Sequence, residues 1–156
     1  MTKPRVKDPT IRSRSLLAIS TALALIACGR GAAKTPEAAL AALVTAANNN
    51  DGAAFRAGFP DDEQLAASFE CPPDLDLAAR YRGLSDELVA WRAAKITRIT
   101  VDPNVRVAVG QPMGGCVARV PVTVAKAGVV LDLGGREVRY DVRFITFEDG
   151  WKVLAL

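Results

Sequence analysis

The 156 residues include no histidine, and that narrows the chemistry open to this chain. Without imidazole there is no Ser-His-Asp or Cys-His nucleophile, no His-ligated metal, and none of the commonest general base at neutral pH. Carboxylates, lysines and two tyrosines, Tyr81 and Tyr140, remain for catalysis. The cysteines are Cys28, Cys71 and Cys116; they form no CxxC, so no metal site and no cofactor are expected. Asp141 is the tempting general base, but alternation puts it between Arg139 and Arg143 on the strand face opposite Tyr140. Pairing with a neighbouring charge on a solvated face is the simpler reading of that aspartate.

The elements that position these residues begin after a leader. Lys3, Arg5, Lys7, Arg12 and Arg14 face a single acid, Asp8, in the first 15 residues, and Leu16 to Ala27 are uncharged. This apolar run is too short to span a bilayer, which takes ~20 residues, and fits a signal-peptide core. Leu25-Ile26-Ala27-Cys28 closes it: a branched apolar residue three places before a cysteine, small or apolar residues between, and Gly29 after. The stretch resembles the lipobox of bacterial lipoproteins. That resemblance implies a signal peptide at 1–27, lipid such as palmitate on Cys28, a tether at 28–34 and a domain at 35–156. It also implies a partner, the membrane, reached through the lipid anchor, and a place in the cell envelope, on the outer membrane where the source has two. The competing readings are a buried core helix, or an ordinary cleaved signal beside an incidental cysteine.

With Cys28 assigned to lipid, Cys71 and Cys116 remain, and outside the cytoplasm such a pair reads as a disulfide, the alternative being two buried thiols. The entropy model gives an upper figure of about 4 kcal/mol for closing that loop. The leader holds five of the 20 Lys+Arg and one of the 17 Asp+Glu, which leaves 15 against 16. The basicity of the full chain therefore belongs to the signal. No basic stripe with interleaved aromatics follows, and nucleic acid is not an expected partner.

Thr35-Pro36-Glu37 opens a helix with a hydroxyl cap, proline at the first position and an acid at the positive end of the dipole. Leu40, Leu43, Val44 and Ala47 form its apolar face, and the helix stops at Asn48 to Gly52. A short helix at 53–59 bears Phe55 and Phe59; another, capped by Asp61, reaches Phe69 with Leu65 one turn earlier. A helical turn is expected at 74–81. Ser85 reads as an N-cap, with Leu84 and Val89 as a hydrophobic staple, opening a helix through Trp91 to about Ala94.

From Lys95 the period changes to two. Strands are expected over 95–101 and, after a turn at Asp102-Pro103-Asn104, over 105–109; a loop follows at 110–115. Cys116 to Val124 reads as one strand, with an edge, an unpaired position or a bulge at Pro121. Residues 127–133 extend it or begin another, Gly134-Gly135 turns into a long strand over 136–147, and Asp149-Gly150 turns into the last, 151–156. On the long strand Val138, Tyr140, Val142 and Phe144 share a face, and the pattern slips after Phe144, as a bulge or bend would make it do.

Helices first and antiparallel strands second predict an α+β domain, N-terminal helices packed on a curved C-terminal antiparallel β-sheet. The order of a Thr-Pro-Glu helix, an Asn/Asp-Gly break, a short Phe-bearing helix and a closing Glu148-Asp149-Gly150-Trp151-Lys152-Val153 hairpin resembles the nuclear-transport-factor-two-like superfamily. A cystatin-like sheet and helix is the rival fold. The resemblance implies a cone of helices against a curved sheet, with Phe55, Phe59, Tyr81, Trp91, Tyr140, Phe144 and Trp151 as candidates to line a pocket. Each of these aromatics also reads as core packing.

Enzymes of that superfamily use a buried Asp or His with Tyr or Asp partners, and no catalytic residue maps onto this chain. The expectation is a non-enzymatic, membrane-tethered binding domain for an envelope protein or an apolar small ligand. The alternative is an Asp/Tyr-dependent isomerase or cyclase of the same superfamily, or a hydrolase-like relative; a third reading is a structural or inhibitory partner protein using its sheet face.

Overall fold

The computed structural model describes residues 32–75, 81 and 84–156. The expected leader, Cys28, most of the tether and residues 76–80 of the expected helical turn lie outside the described residues. What is described is an α+β domain of short N-terminal helices and two antiparallel sheets, the first helix packing on the larger sheet, which the C-terminal half forms. Among the described residues, no helix is long and apolar enough to cross a membrane.

The caps set the helices. Thr35 Oγ1 accepts the Ala38 N–H at 3.2 Å to start α1 (Pro36–Asn48), and Asn50 ends the segment at φ 53°. Asp51 caps α2 (Gly52–Ala57) by accepting from Ala54 at 2.9 Å. Asp61 and Gln64 form a reciprocal capping box at α3 (Asp62–Ser68). Phe69, expected to close that helix, leaves it at φ −134° and begins β1 (Phe69–Glu70). Helix α4 (Leu84–Ala90) starts one residue before Ser85, so Ser85 is helical and caps nothing. Val89 is 56% exposed and staples nothing; Trp91 to Ala93 form a turn, with Ala93 at φ 64°, and Ala94 already belongs to a strand.

The five-stranded sheet contains β2 (Ala94–Val101), β3 (Val105–Val107), β6 (Val122–Leu133), β7 (Glu137–Phe147) and β8 (Gly150–Ala155), in the order β2-β6-β7-β8 with β3 also on β6. The sequence predicts a turn between β2 and β3 at Asp102-Pro103-Asn104. They instead run end to end along β6, Val101 opposite Ala127 and Val105 opposite Val124, and the Asp102 N–H still bonds Lys126 O at 2.8 Å. Asp102-Pro103-Asn104 is a jog of one extra residue in a single edge, because the proline lacks an N–H yet the apolar face of β6 still needs covering.

A second irregularity resets the alternation in β2. Ile96 pairs with Leu131 and Arg98 with Val130, so Thr97 is the extra residue, and Ile96, Ile99 and Val101 all turn toward the core despite their mixed spacing. Between β7 and β8 the register slips between Arg143 and Phe144, with Leu154 of β8 as the extra residue; β7 itself keeps unbroken register with β6, so the bulge expected in it after Phe144 is absent, although Ile145 is buried on the second face. Bulged strands bend, and three such interruptions curve the sheet around the helices. Gly134 and Gly135, at φ 71° and 94°, make the β6–β7 turn. The β7–β8 turn is Glu148-Asp149, one residue earlier than expected, with Gly150 at φ 106° already paired to Phe147.

The core lies between α1 and this sheet. Leu40, Leu43 and Ala47 meet Val129 and Leu131 of β6, Val142 and Phe144 of β7 and Val153 of β8, all essentially sealed from solvent. Burial of each large apolar side chain contributes about 1.5–3 kcal/mol. Asn48 Nδ2 donates to Ala94 O at 3.1 Å and ties the end of α1 to the start of β2.

Candidate functional site

Beside the main sheet lies a small one, β1-β5-β4, made of β1, β4 (Pro112–Met113) and β5 (Cys116–Ala118). The sequence predicts a loop over 110–115 and one strand from Cys116 to Val124. Pro121 breaks that run: β5 stops at Ala118 and β6 starts at Val122. Phe69 pairs with Ala118 and Glu70 with Val117, and the Cys71–Cys116 disulfide, with Cα atoms 4.3 Å apart, continues the same ladder as a covalent rung. The expected cysteine pair is therefore formed, and it locks the chain after α3 onto β5. The Arg119–Glu70 ion pair beside it, at 3.9 Å and largely exposed, adds little.

Between this disulfide-tied wall and strands β6, β7 and β8 is an apolar cavity of about 120 Å³. Leu65 of α3, Phe69 of β1, Met113 and Gly114 at the β4–β5 turn, and Cys116 make one side. The main sheet supplies Val124, Ala125 and Lys126 of β6, Arg143 and Phe144 of β7, and Leu154 and Ala155 of β8, and Tyr81 closes the remaining side. Among the contacts that hold Tyr81, its hydroxyl donates to Leu154 O at 3.3 Å, Phe59 packs at 5.8 Å, and the Arg56 guanidinium lies 5.3 Å from its ring centre. Such a cation over a ring contributes about 0.5–1 kcal/mol at an exposed site.

The titratable side chains on the cavity wall are Lys126, Arg143 and Tyr81; among the described residues no carboxylate lines it. Asp141 is exposed on β7 opposite Gly128. It is not within ion-pair distance of Arg139 or Arg143; the side-chain ion pairs found among the described residues are Arg119–Glu70 and Lys152–Asp149. No cluster of three metal-ligating side chains occurs among the described residues.

The structure divides the seven candidate aromatics. Tyr81 and Phe144 line the cavity. Phe59 lines a shallower groove of about 390 Å³ that shares Tyr81, Leu154 and Ala155 with the cavity and also holds Glu87. Phe55 and Trp91 are core: Trp91 is fully buried, edge-on to Phe55 at 6.0 Å and to Tyr140 at 5.6 Å. Among the described residues the Trp91 Nε1 has no hydrogen-bond partner, which costs about 1–3 kcal/mol and is offset by ring packing on two sides. Tyr140 and Trp151 are half-buried, Tyr140 against Trp91 and Trp151 opposite Thr146 on the β7–β8 hairpin.

Of the cavity residues outside that set, Leu65 and Phe69 carried a signal as an apolar pair one helical turn apart. Met113, Leu154, Lys126 and Arg143 carried none, because no local pattern distinguishes a strand residue beside a void from one beside a neighbour. Compared with models of protein families, with curated proteins and with solved structures, the chain matches none.

Proposed function

We propose that this chain is a membrane-tethered envelope lipoprotein whose domain binds an apolar small ligand without transforming it. The observation that carries the binding reading is the apolar cavity under the Cys71–Cys116 disulfide, whose described walls offer no Asp or Glu to abstract a proton. Small-ligand sites are concave and mostly apolar, with a few polar groups that fix orientation; here Tyr81, Lys126 and Arg143 are those groups.

The tether reading draws support from where the chain enters the domain. Ala33 O accepts the Trp151 N–H at 2.8 Å, so the chain is fixed to β8 from that residue on. Ala33 is the fifth residue after Cys28, a reach of about 17 Å at full extension, so a lipid on Cys28 would hold the β7–β8 end close to the bilayer. Tethering at that range raises the effective concentration of membrane-borne ligand and makes weak affinity sufficient. The element order, with three capped helices before a curved sheet, is compatible with a nuclear-transport-factor-two-like cone. An enzymatic alternative has one feature in its favour, the groove where Tyr81 and Glu87 lie together.

Intact-mass analysis of protein extracted from membranes without reduction tests the reading. The expected species runs from Cys28 to Leu156, carries acyl groups and lacks two hydrogens. Cys28→Ser is expected to abolish lipid labelling and leave uncleaved precursor; normal labelling of that variant would reject the anchor.

A further inference from the structure

The cavity wall contains two cations that no described residue neutralises. Lys126 of β6 and Arg143 of β7 are directly opposite each other in the ladder, both are exposed, and among the described residues neither has an ion pair or side-chain hydrogen bond. Like charges directly opposite on adjacent strands are destabilising, so this pairing opposes the fold that carries it. The nearest acid on the same strand face, Asp141, is two residues from Arg143 and does not reach ion-pair distance. The rest of the wall around them is apolar: Phe69, Met113, Val124, Phe144 and Leu154.

We infer that the cavity binds an alkyl carboxylate, its chain end among Phe69, Met113 and Val124 and its carboxylate between Lys126 and Arg143. This rests on the binding reading above and names the ligand class. A carboxylate there converts a like-charge repulsion into two charge-assisted contacts, and the guanidinium fork of arginine matches its two oxygens. A volume of about 120 Å³ is close to the roughly 150 Å³ apolar cavity that takes a benzene ring, so about six carbons fit. Each methylene buried strengthens binding about fourfold. A neutral or cationic head on the same chain gains the apolar contribution alone, or loses part of it to repulsion.

The test uses the protein produced from the full chain, held in neutral phosphatidylcholine nanodiscs and titrated with hexanoate, 1-hexanol and hexylammonium. Binding is read from the Met113 methyl resonance and by calorimetry. Hexanoate is expected to bind at least tenfold more tightly than hexanol and to shift the Met113 methyl, and hexylammonium to bind weakest. Lys126→Gln and Arg143→Gln, both at exposed positions, are expected to remove that preference, bringing hexanoate affinity down at least tenfold to the level of hexanol. Equal binding of hexanoate and hexanol would overturn the anionic ligand class and leave the apolar cavity standing. No binding of either would overturn both. Binding of the protein to phosphatidylglycerol vesicles through Lys126 and Arg143, with no response to hexanoate, would also overturn it by assigning the cations to a lipid surface.

Discussion

The two edges of the main sheet are finished in opposite ways. On the β8 edge the outward backbone is occupied: Trp151 N–H bonds Ala33 O at 2.8 Å and Val153 N–H bonds Gly58 O at 2.9 Å. Lys152 reaches Ala57 O at 3.3 Å, and Tyr81 bonds the Leu154 carbonyl. The opposite edge, β2 continued by β3, has no strand beside it among the described residues. It carries Lys95, Arg98 and Arg106, a proline at 103 and two bulges, all features that discourage pairing with another chain. One edge is protected by what covers it, the other by being a poor template. The covered edge thus depends on close tertiary fit and tolerates little change; the open edge depends on side-chain character and tolerates much.

Substitutions at the covered edge are expected to cost most. Gly150 sits at φ 106°, and a Cβ there would be 2.7 Å from Ala33 O, a backbone atom. Gly150→Ala is expected to destabilise by about 2–3 kcal/mol, from backbone strain and loss of the Ala33 strap, measured as a lowered urea midpoint. Gly58 has an ordinary φ of −73°, but its Cβ would be 2.5 Å from Leu43 Cδ2 in the sealed core. Gly58→Ala is expected to cost about 1–2 kcal/mol, less than Gly150→Ala because a side chain rather than a backbone must move. The reverse ranking in urea unfolding would show that the Ala33 strap is dispensable.

The smallest effect belongs to the open edge. Arg98→Val is expected to change stability by no more than about 0.5 kcal/mol while raising concentration-dependent self-association, read by sedimentation velocity as faster-sedimenting species. A stability loss comparable with Gly58→Ala, or a strictly monomeric variant at high concentration, would break the contrast between the edges.

Much of the chain's local architecture was legible residue by residue. Thr35 and Asp61 announced helix starts, Gly134-Gly135 a hairpin, and the alternation through Val138, Tyr140, Val142 and Phe144 a strand with one apolar face. Cysteine counting paired Cys71 with Cys116. These signals are energies within a segment, or between two residues with no other partner, so composition and spacing suffice to express them.

Tertiary structure alone decided what those elements face. Asp102-Pro103-Asn104 has the composition of a turn, yet the apolar face of β6 holds both flanking strands on one line. Ser85 has the chemistry of a cap, yet α4 starts before it. Seven aromatics qualified equally for a pocket; the packing of Phe55 against Trp91 puts those two in the core and leaves Tyr81 and Phe144 at the cavity. The cavity gathers residues from position 65 to 155, and a void has no sequence pattern because it arises from what several distant segments jointly fail to fill. The sequence by itself determined the α+β order, the caps at Thr35 and Asp61 and the disulfide, because each is set by neighbours along the chain or by counting. Register, bulges, the covered edge and the site were decided by long-range packing, where the energy of one residue depends on a partner that local sequence does not name.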